Sequence, residues 1–331
     1  MRSPTPAAYP DPPELLSLEG ARRLILGPVV GRGTLGVVRV AEIQSAFGVR
    51  RRVAAKIFDS LFVSDGEGEN AIARAVRHSA YVRHPNVVEV NELGVASDHP
   101  YVVTELVEGC ALAALVTAYR RVGRRMPVDL ALFIATEMAE GVSGARSAKN
   151  AEGIVLNMSH HDLSTRQVLL SWNGEVKVSD FGLRAAGMSA SGIRPAALSA
   201  KITLANVAPE VIQGARGDAR SDVFSLGVML HELLRGSRFP DGIVDAKIFD
   251  LARRGDIHRA VREPILGSDL AHVIDRATAA DPKHRYPHAG VLAYDLRKAA
   301  FAMGVGDGRA FLRTALFEMT EGLLPDHDTS S

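Results

Sequence analysis

The pattern of apolar and polar residues changes character about one third of the way along the chain. The first part contains three short runs rich in β-branched residues, which are typical of strands, and one stretch of helical periodicity at about 70–82. Beyond Gly109 the apolar residues recur at helical spacing, most clearly at 131–142 and 221–234. We therefore predict a strand-rich front and a helix-rich remainder that meet near 107–110. The strand-like runs are 37–41, 52–57 and 101–106.

Both ends of the chain differ from its middle. Five prolines stand among the first thirteen residues, so the segment lacks the continuous apolar run of a signal peptide. We predict an extended, flexible leader over residues 1–20. Residues 309–323 carry apolar side chains on one helical face, which indicates a helix packed on its own domain or, alternatively, one that docks a partner. The predicted divisions are 1–20, a main domain over 21–300 that splits after about residue 107, and a helical extension over 301–331.

Composition excludes several classes of protein. The 331 residues carry a net charge of +1, which argues against a nucleic-acid partner. No apolar run approaches the roughly 18 residues of a membrane span. The single cysteine, Cys110, rules out an intramolecular disulfide and fits a reducing compartment, so we expect a cytoplasmic protein.

A glycine-rich segment provides the first chemical signal. Gly31, Gly33 and Gly36 would let the backbone approach a phosphate closely, because no Cβ intervenes. β-Branched residues follow the glycines where a dinucleotide-binding fold would begin a helix, so the segment joins two strands. Lys56 follows Gly31 by 25 residues on a predicted strand, where a lysine beside a glycine hairpin can hold nucleotide phosphates.

Two aspartates supply complementary chemistry. Asp162 follows a pair of histidines, and Asp180 stands 18 residues later at the start of Asp-Phe-Gly. One aspartate can deprotonate an attacking hydroxyl, and the other can hold Mg²⁺ against phosphates. Further along, Glu210 closes Ala-Pro-Glu and Arg285 follows late in the chain, and these two can pair because a buried carboxylate needs a partner.

These motifs, in this order and spacing, resemble those of the eukaryotic-like (Hanks-type) serine/threonine protein kinases of bacteria, over about residues 24–300. The resemblance implies a two-lobed protein kinase fold of the α+β class, with an antiparallel-sheet N-lobe and a mostly helical C-lobe. It also implies ATP and Mg²⁺ as cofactors, and protein substrates or signalling partners.

The resemblance further assigns individual roles. Asp162 would be the catalytic base, Asp180 and Gln167 would take the positions of the Mg²⁺ ligands, and Thr203 would lie at the substrate lip of an activation loop over 183–207. Thr104 looks like the gatekeeper residue, and 105–107 like the hinge. The structural residues would be Glu210, Asp222 and Arg285. The residues placed around ATP would be Gly31, Gly33, Gly36, Val38, Ala54, Lys56, Thr104, Glu105, Val107 and Leu169.

The sequence departs from the family pattern at four positions. Ala75 stands where the family has the glutamate that pairs with the lysine, so we expect that ion pair to be absent and Lys56 to lack a carboxylate partner. Gln167 replaces an asparagine, and Ser164 replaces the usual loop lysine. His161 replaces an arginine that receives a phosphorylated activation loop through bidentate bonds, which an imidazole cannot form.

Two functional hypotheses from different classes follow. The first is a protein serine/threonine kinase whose rate the departures lower. The second is a pseudokinase that acts as a nucleotide-binding signalling scaffold. Retention of the lysine and both aspartates favours the enzyme, and the departures favour the scaffold. A small-molecule kinase of related fold is the least favoured, because Ala-Pro-Glu and a late arginine brace a lip for protein substrates.

Overall fold

The computed structural model describes most of the chain. The described residues are 15–18, 22–33, 35–45, 47–58, 66–96, 99–183, 204–239, 241–257 and 267–322. The predicted substrate-lip residue Thr203, and most of the predicted activation loop, lie outside these ranges.

Within the described residues, the front of the chain forms a six-stranded antiparallel sheet of order β1-β2-β3-β4-β6-β5. All three predicted strands are present within β3, β4 and β6. The strands are β1 (Leu15–Leu18), β2 (Arg22–Gly33), β3 (Gly36–Gln44), β4 (Arg50–Phe58), β5 (Val90–Ala96) and β6 (His99–Glu105).

The sheet begins earlier than the predicted domain boundary at residue 21. Leu15–Leu18 pairs antiparallel with the start of β2, although it lies within the predicted leader. The prolines of the leader end at Pro13, so the backbone of this strand retains the N–H groups that proline lacks. The edge of the sheet therefore includes the last part of the segment predicted to be flexible.

Alternation along β4 separates the core of the sheet from the cleft below it. Val53 and Ala55 are fully buried on one face, in a cluster with Leu24 and Leu26 of β2. The residues between and beyond them point to the opposite face, because successive strand side chains alternate. This register directs Ala54 and Lys56 into the cleft.

Helix α1 (Gly66–Ser79) crosses the sheet in the region of the predicted helix. Its buried residues Ile72 and Val76 pack with Phe58 of β4 and with Leu183, which comes from the helical part of the chain. This cluster joins the sheet to the rest of the molecule at the side of the cleft.

The remainder of the chain is mostly helical, as predicted. The predicted segments 131–142 and 221–234 lie within α3 and α5, and the side chains of both helices are mostly buried. The helices are α2 (Leu112–Arg121), α3 (Val128–Ser147), α4 (Pro209–Ile212), α5 (Ala219–Arg235), α6 (Asp245–Arg254), α7 (Ser268–Ala277), α8 (Ala289–Ala302) and α9 (Gly308–Thr320). A small antiparallel sheet of β7 (Gly109–Ala111), β8 (Val168–Ser171) and β9 (Val176–Val178) was not predicted, because its strands are too short to show alternation.

The C-terminal helix α9 packs on its own domain. Leu312 and Leu316 are buried in the same core cluster as α3, so the favoured interpretation of this amphipathic segment is the one observed. Among the described helices, none has the length and apolar character needed to cross a lipid bilayer.

Candidate active site

A cleft of about 1160 Å³ lies between the sheet and the helical part. It brings together residues that are separated by up to about 200 positions in the sequence, and it contains most of the predicted site. The predicted residues that line it are Gly31, Gly33, Val38, Ala54, Lys56, Thr104, Glu105, Val107, Asp162, Gln167, Leu169, Asp180 and Asp222.

Gly36 does not line the cleft. It begins β3, opposite Gly33 and Phe58, with a φ of 144°. A Cβ added there would lie 2.0 Å from the carbonyl oxygen of Ile57. This glycine therefore allows two strands to approach closely, whereas Gly31 and Gly33 belong to the cleft wall.

Contacts of the Glu105 side chain hold the segment that connects the six-stranded sheet to the helical part. The Glu105 carboxylate accepts hydrogen bonds from the Glu89 backbone N–H and from Lys177 Nζ, both at 2.9 Å. These contacts join the end of β6 to β9 in the helical part. The Glu105 side chain and its backbone N–H, which donates to the Glu89 carbonyl oxygen at 2.9 Å, are thus engaged by the protein itself, and residues 105–107 line the cleft.

Lys56 has a carboxylate partner, contrary to the sequence expectation. Its Nζ lies 2.9 Å from Asp180 Oδ2, and the lysine side chain is only 13% exposed. Ala75 lies on α1, where the sequence predicted it, and contributes no carboxylate. The carboxylate comes instead from Asp180 on the opposite wall of the cleft. A buried ammonium requires such a partner, because burial without one is costly.

Helix α1 packs directly against the segment that contains Asp180. Ser79 Oγ lies 3.4 Å from the Phe181 carbonyl oxygen, to which it donates. The Cβ of Ala75 is 3.7 Å from where a Cβ on Gly182 would be. Position 75 therefore lies next to the Asp-Phe-Gly segment that contains Asp180.

Buried hydrogen bonds fix the backbone of the loop that carries Asp162, residues 160–167, which we call the catalytic loop. Asp222 accepts the backbone N–H groups of His160 and His161 at 2.7 and 2.9 Å. His161 has a φ of 67°, a conformation that costs free energy and that these bonds stabilise. Burial raises the pKa of Asp222 to about 6, although the two N–H donors favour its ionised form.

His160 is a structural residue in this arrangement. Its ring is fully buried, lies 4.7 Å from the ring of Phe181, and donates from Nε2 to the Ser179 carbonyl oxygen at 2.8 Å. Burial lowers the pKa of His160 to about 4, so the imidazole is neutral at physiological pH. It links the catalytic loop to the Asp180 segment without carrying charge.

Gln167 forms hydrogen bonds to two neighbours in the loop. Its side-chain amide donates to Asp162 Oδ2 at 3.3 Å, and its side-chain oxygen accepts from the Ser164 hydroxyl. Asp180 and Gln167 present the hard oxygen donors that Mg²⁺ prefers. In the described part of the chain no group of three His, Cys, Asp or Glu side chains gathers to hold a metal. Asp180 and Gln167 would be the residues that hold a Mg²⁺ ion in this cleft, each through a side-chain oxygen.

Glu210 and Arg285 form a bidentate ion pair at the base of the helical part. The two nitrogen–oxygen distances are 2.8 and 2.9 Å, and the arginine side chain is fully buried. Burial opposes ionisation of Glu210, but hydrogen bonds from Arg285 and from Ser221 outweigh it and keep its pKa below the usual value. This pair fixes α4 to the segment after α7, away from the reacting groups.

Three arginines of the cleft were not predicted from the sequence. Arg120, Arg166 and Arg216 line it from α2, the catalytic loop and the segment before α5. Arg166 stands four residues after Asp162 in a recognised motif, so its position was a usable signal. The other two are distant in sequence, and only the fold brings them into the same cleft as Asp162.

The family comparison agrees with this geometry. Residues 24–293 match the family model described as protein tyrosine and serine/threonine kinase. The chain therefore belongs to the protein kinase family.

Relatives and solved structures are similar over most of this chain. Serine/threonine-protein kinase PknB of Mycobacterium leprae is 30% identical over 282 residues, which are 83% of this chain and 42% of that protein. Tyrosine-protein kinase MasK of Myxococcus xanthus is 28% identical over 266 residues, 80% of this chain and 41% of that protein. The chain thus spans about two fifths of the length of these relatives. The crystal structure of the Mycobacterium tuberculosis PknI kinase domain superposes with a TM-score of 0.60 at 20% identity, covering 84% of this chain and 96% of that one, which shows the shared fold.

Proposed function

We propose that this chain is an ATP- and Mg²⁺-dependent protein serine/threonine kinase. The observation that carries the proposal is the convergence of Lys56, Asp162 and Asp180 in one cleft beneath a glycine-containing hairpin. The two relatives differ in the acceptor residue, tyrosine for MasK and serine or threonine for PknB, and the slightly higher identity to PknB, 30% against 28%, favours serine and threonine.

In the proposed reaction, adenine lies between the Val38 and Ala54 side chains above and Leu169 below, and the hinge backbone hydrogen-bonds its edge. Lys56 binds the phosphates. Asp162 orients the acceptor hydroxyl and takes its proton. The acceptor oxygen bonds to the γ-phosphorus while the bond from that phosphorus to the bridging oxygen breaks, and ADP leaves. Mg²⁺, when bound through Asp180 and Gln167, neutralises charge on the phosphates.

The pair of Lys56 and Asp180 suggests how the site rests before nucleotide binds. Each group compensates the charge of the other, so neither is buried alone. When Mg·ATP binds, the nucleotide phosphates can replace Asp180 as the anionic partner of Lys56. The Mg²⁺ ion can replace Lys56 as the cationic partner of Asp180. We infer that the pair separates when Mg·ATP binds.

The direct test is transfer of labelled phosphate. The purified chain is incubated with γ-labelled ATP, Mg²⁺ and a general protein substrate, and acid hydrolysis identifies the labelled residue. We expect phosphoserine and phosphothreonine, with label strongly reduced in Lys56→Met. Phosphotyrosine alone would contradict the assignment of serine and threonine as acceptors. If the chain binds ATP but transfers no label, the proposal that it is an enzyme is wrong.

A nucleotide-binding scaffold is the second candidate. It is favoured by the hydrogen bonds of Gln167, whose side-chain oxygen accepts from Ser164 and whose nitrogen donates to the predicted base. If those bonds persist with nucleotide present, both the second metal ligand and Asp162 are occupied by the protein itself. Binding of Mg·ATP without turnover would then be the whole activity of the cleft.

Asp180→Asn is expected to remove the Mg²⁺ dependence of ATP binding. The amide lacks the negative charge that attracts the ion, and it also releases Lys56 from its ion pair. Calorimetric titrations with ATP in Mg²⁺ and in EDTA measure the effect. The wild type should bind more tightly in Mg²⁺, and the variant should give equal affinities. A variant that retains the wild-type difference would show that the metal is held elsewhere.

Ala75→Glu combined with Gln167→Asn is expected to raise autophosphorylation about tenfold, since a charge-assisted hydrogen bond contributes roughly 1.5–3 kcal/mol. The added carboxylate would compete for Lys56 and free Asp180 for the metal. The shorter amide would shift its oxygen toward the position that the family uses. Initial rates of label incorporation compare the double variant with each single one. Wild-type rates in the double variant would mean that position 75 does not reach Lys56.

A further inference from the structure

The arginines Arg120, Arg166 and Arg216 line the same cleft as Asp162 from three separate elements. All three are exposed, and all three line the cleft. Within the described residues, none of the three guanidinium groups forms an ion pair or a hydrogen bond. Arg166 stands four residues after Asp162, and Arg216 lies close enough to act electrostatically on His161, so at least these two are near the predicted base.

The carboxylates of the same cleft are engaged. Three of them accept cationic side chains: Glu105 from Lys177, Glu108 from Arg52, and Asp180 from Lys56. Asp222 accepts two backbone N–H groups, and Glu232 accepts the backbone N–H of Arg238 at 2.8 Å. Among the described residues of α2, of the loop 160–167 and of the segment 213–218, the three arginines line the cleft with a single carboxylate, that of Asp162, so these elements present an excess of positive charge.

The charge of Arg216 reaches the catalytic loop. Loss of hydration, and after it the positive charge of Arg216, lower the pKa of His161, the residue immediately before Asp162. A neutral imidazole and an arginine thus stand together beside the reacting position. The guanidinium and the imidazole N–H can donate to an anionic group, and neither side chain carries a negative charge that would attract a cationic one.

We propose that the acceptor bound in this cleft is an acidic protein segment, with aspartate, glutamate or a phosphorylated residue flanking the serine or threonine. The inference rests on the proposed function for its acceptor residue, but the binding preference itself does not require catalysis. Within the described residues these arginines have no partner, so they would gain carboxylates on binding, and complementary charge also accelerates encounter. A basic segment would meet uncompensated repulsion at the same positions.

Three fluorescent peptides test the preference. They share one central serine and differ in flanking residues, which are acidic, neutral or basic. Fluorescence anisotropy measures binding to the full chain with Mg²⁺ and a non-hydrolysable ATP analogue. We expect the acidic peptide to bind about tenfold more tightly than the neutral one, and the basic peptide to bind more weakly still. About 0.5 M salt should reduce the difference, because exposed charges are screened.

Single substitutions locate the effect. Arg120→Ala, Arg166→Ala and Arg216→Ala should each weaken the acidic peptide about two- to fivefold and change the neutral peptide little. Arg121→Ala is the matched control, because it removes the same charge from the next residue of α2, which does not line the cleft. Arg166→Glu should shift the binding preference from the acidic peptide toward the basic one. The substituted arginines are exposed, so their replacement should leave the folded state intact, and a thermal melt verifies this.

The outcomes separate the two proposals. Acidic preference that depends on these arginines, without phosphate transfer, would support this inference and contradict the enzyme. Phosphate transfer to neutral and acidic peptides with equal affinity would contradict this inference and leave the enzyme intact. Failure of the acidic peptide to bind, or equal losses in Arg121→Ala and the cleft variants, would overturn the inference.

Discussion

Replacing Asp162 by asparagine is expected to lower phosphate transfer by about a thousandfold, since a positioned general base contributes roughly 10²–10⁴ to the rate. Asparagine has nearly the same shape, and its side-chain oxygen can still accept the hydrogen bond that Gln167 donates. It cannot accept the proton of the attacking hydroxyl at neutral pH. The loss should therefore appear in the rate constant for transfer, and the affinity for Mg·ATP should change little.

The measurement compares initial rates of label incorporation, with ATP affinity determined by calorimetry on the same preparations. Asp245→Asn is a suitable control, because this exposed residue begins α6 and does not line the cleft. A loss of less than tenfold in Asp162→Asn would mean that another group takes the proton or that proton removal contributes little.

Replacing Arg285 by alanine is expected to lower the free energy of unfolding by about 3–5 kcal/mol, the range for breaking a buried ion pair from one side. The change would leave the Glu210 carboxylate without its bidentate partner. It would also remove the donors to the carbonyl oxygens of Ala279 and Ala280. These losses add to that of a side chain that packs against Phe224.

Urea unfolding followed by circular dichroism measures the effect. Lys283→Ala is the matched control, since this exposed lysine in the neighbouring turn should change stability by less than about 0.5 kcal/mol. Arg285→Lys should lie between the two, because lysine keeps the charge and loses the bidentate geometry. A loss below about 1 kcal/mol in Arg285→Ala would show that Glu210 finds another partner.

Much of the fold and of the cleft could be predicted because the informative residues occur in ordered motifs. The alternation in β4 determines that Ala54 and Lys56 share a face, so the sequence pattern already contained their direction. Long helices such as α3 and α5 were evident because apolar periodicity persists over several turns. The order of glycines, lysine and aspartates indicated the rest of the cleft.

The remaining features depend on three-dimensional proximity that no local pattern records. Lys56 and Asp180 are 124 positions apart, and their pairing follows from the way α1 and the Asp-Phe-Gly segment pack. Ala75 predicted that α1 supplies no carboxylate to Lys56 at this position. It could not indicate that Asp180 pairs with Lys56 instead. The role of Gly36 was likewise hidden, because glycines of the cleft wall and of strand crossings look the same in sequence.

The central claim, that the cleft transfers phosphate and does not merely hold nucleotide, is tested most directly by a single-turnover experiment. Enzyme in excess over γ-labelled ATP is mixed with Mg²⁺ and quenched with acid over a range of times, with bound ATP measured in parallel. We expect bound label to be converted to acid-stable phosphoserine or phosphothreonine in the wild type and to remain in ATP in Asp162→Asn. Label that stays in bound ATP in both proteins would contradict it.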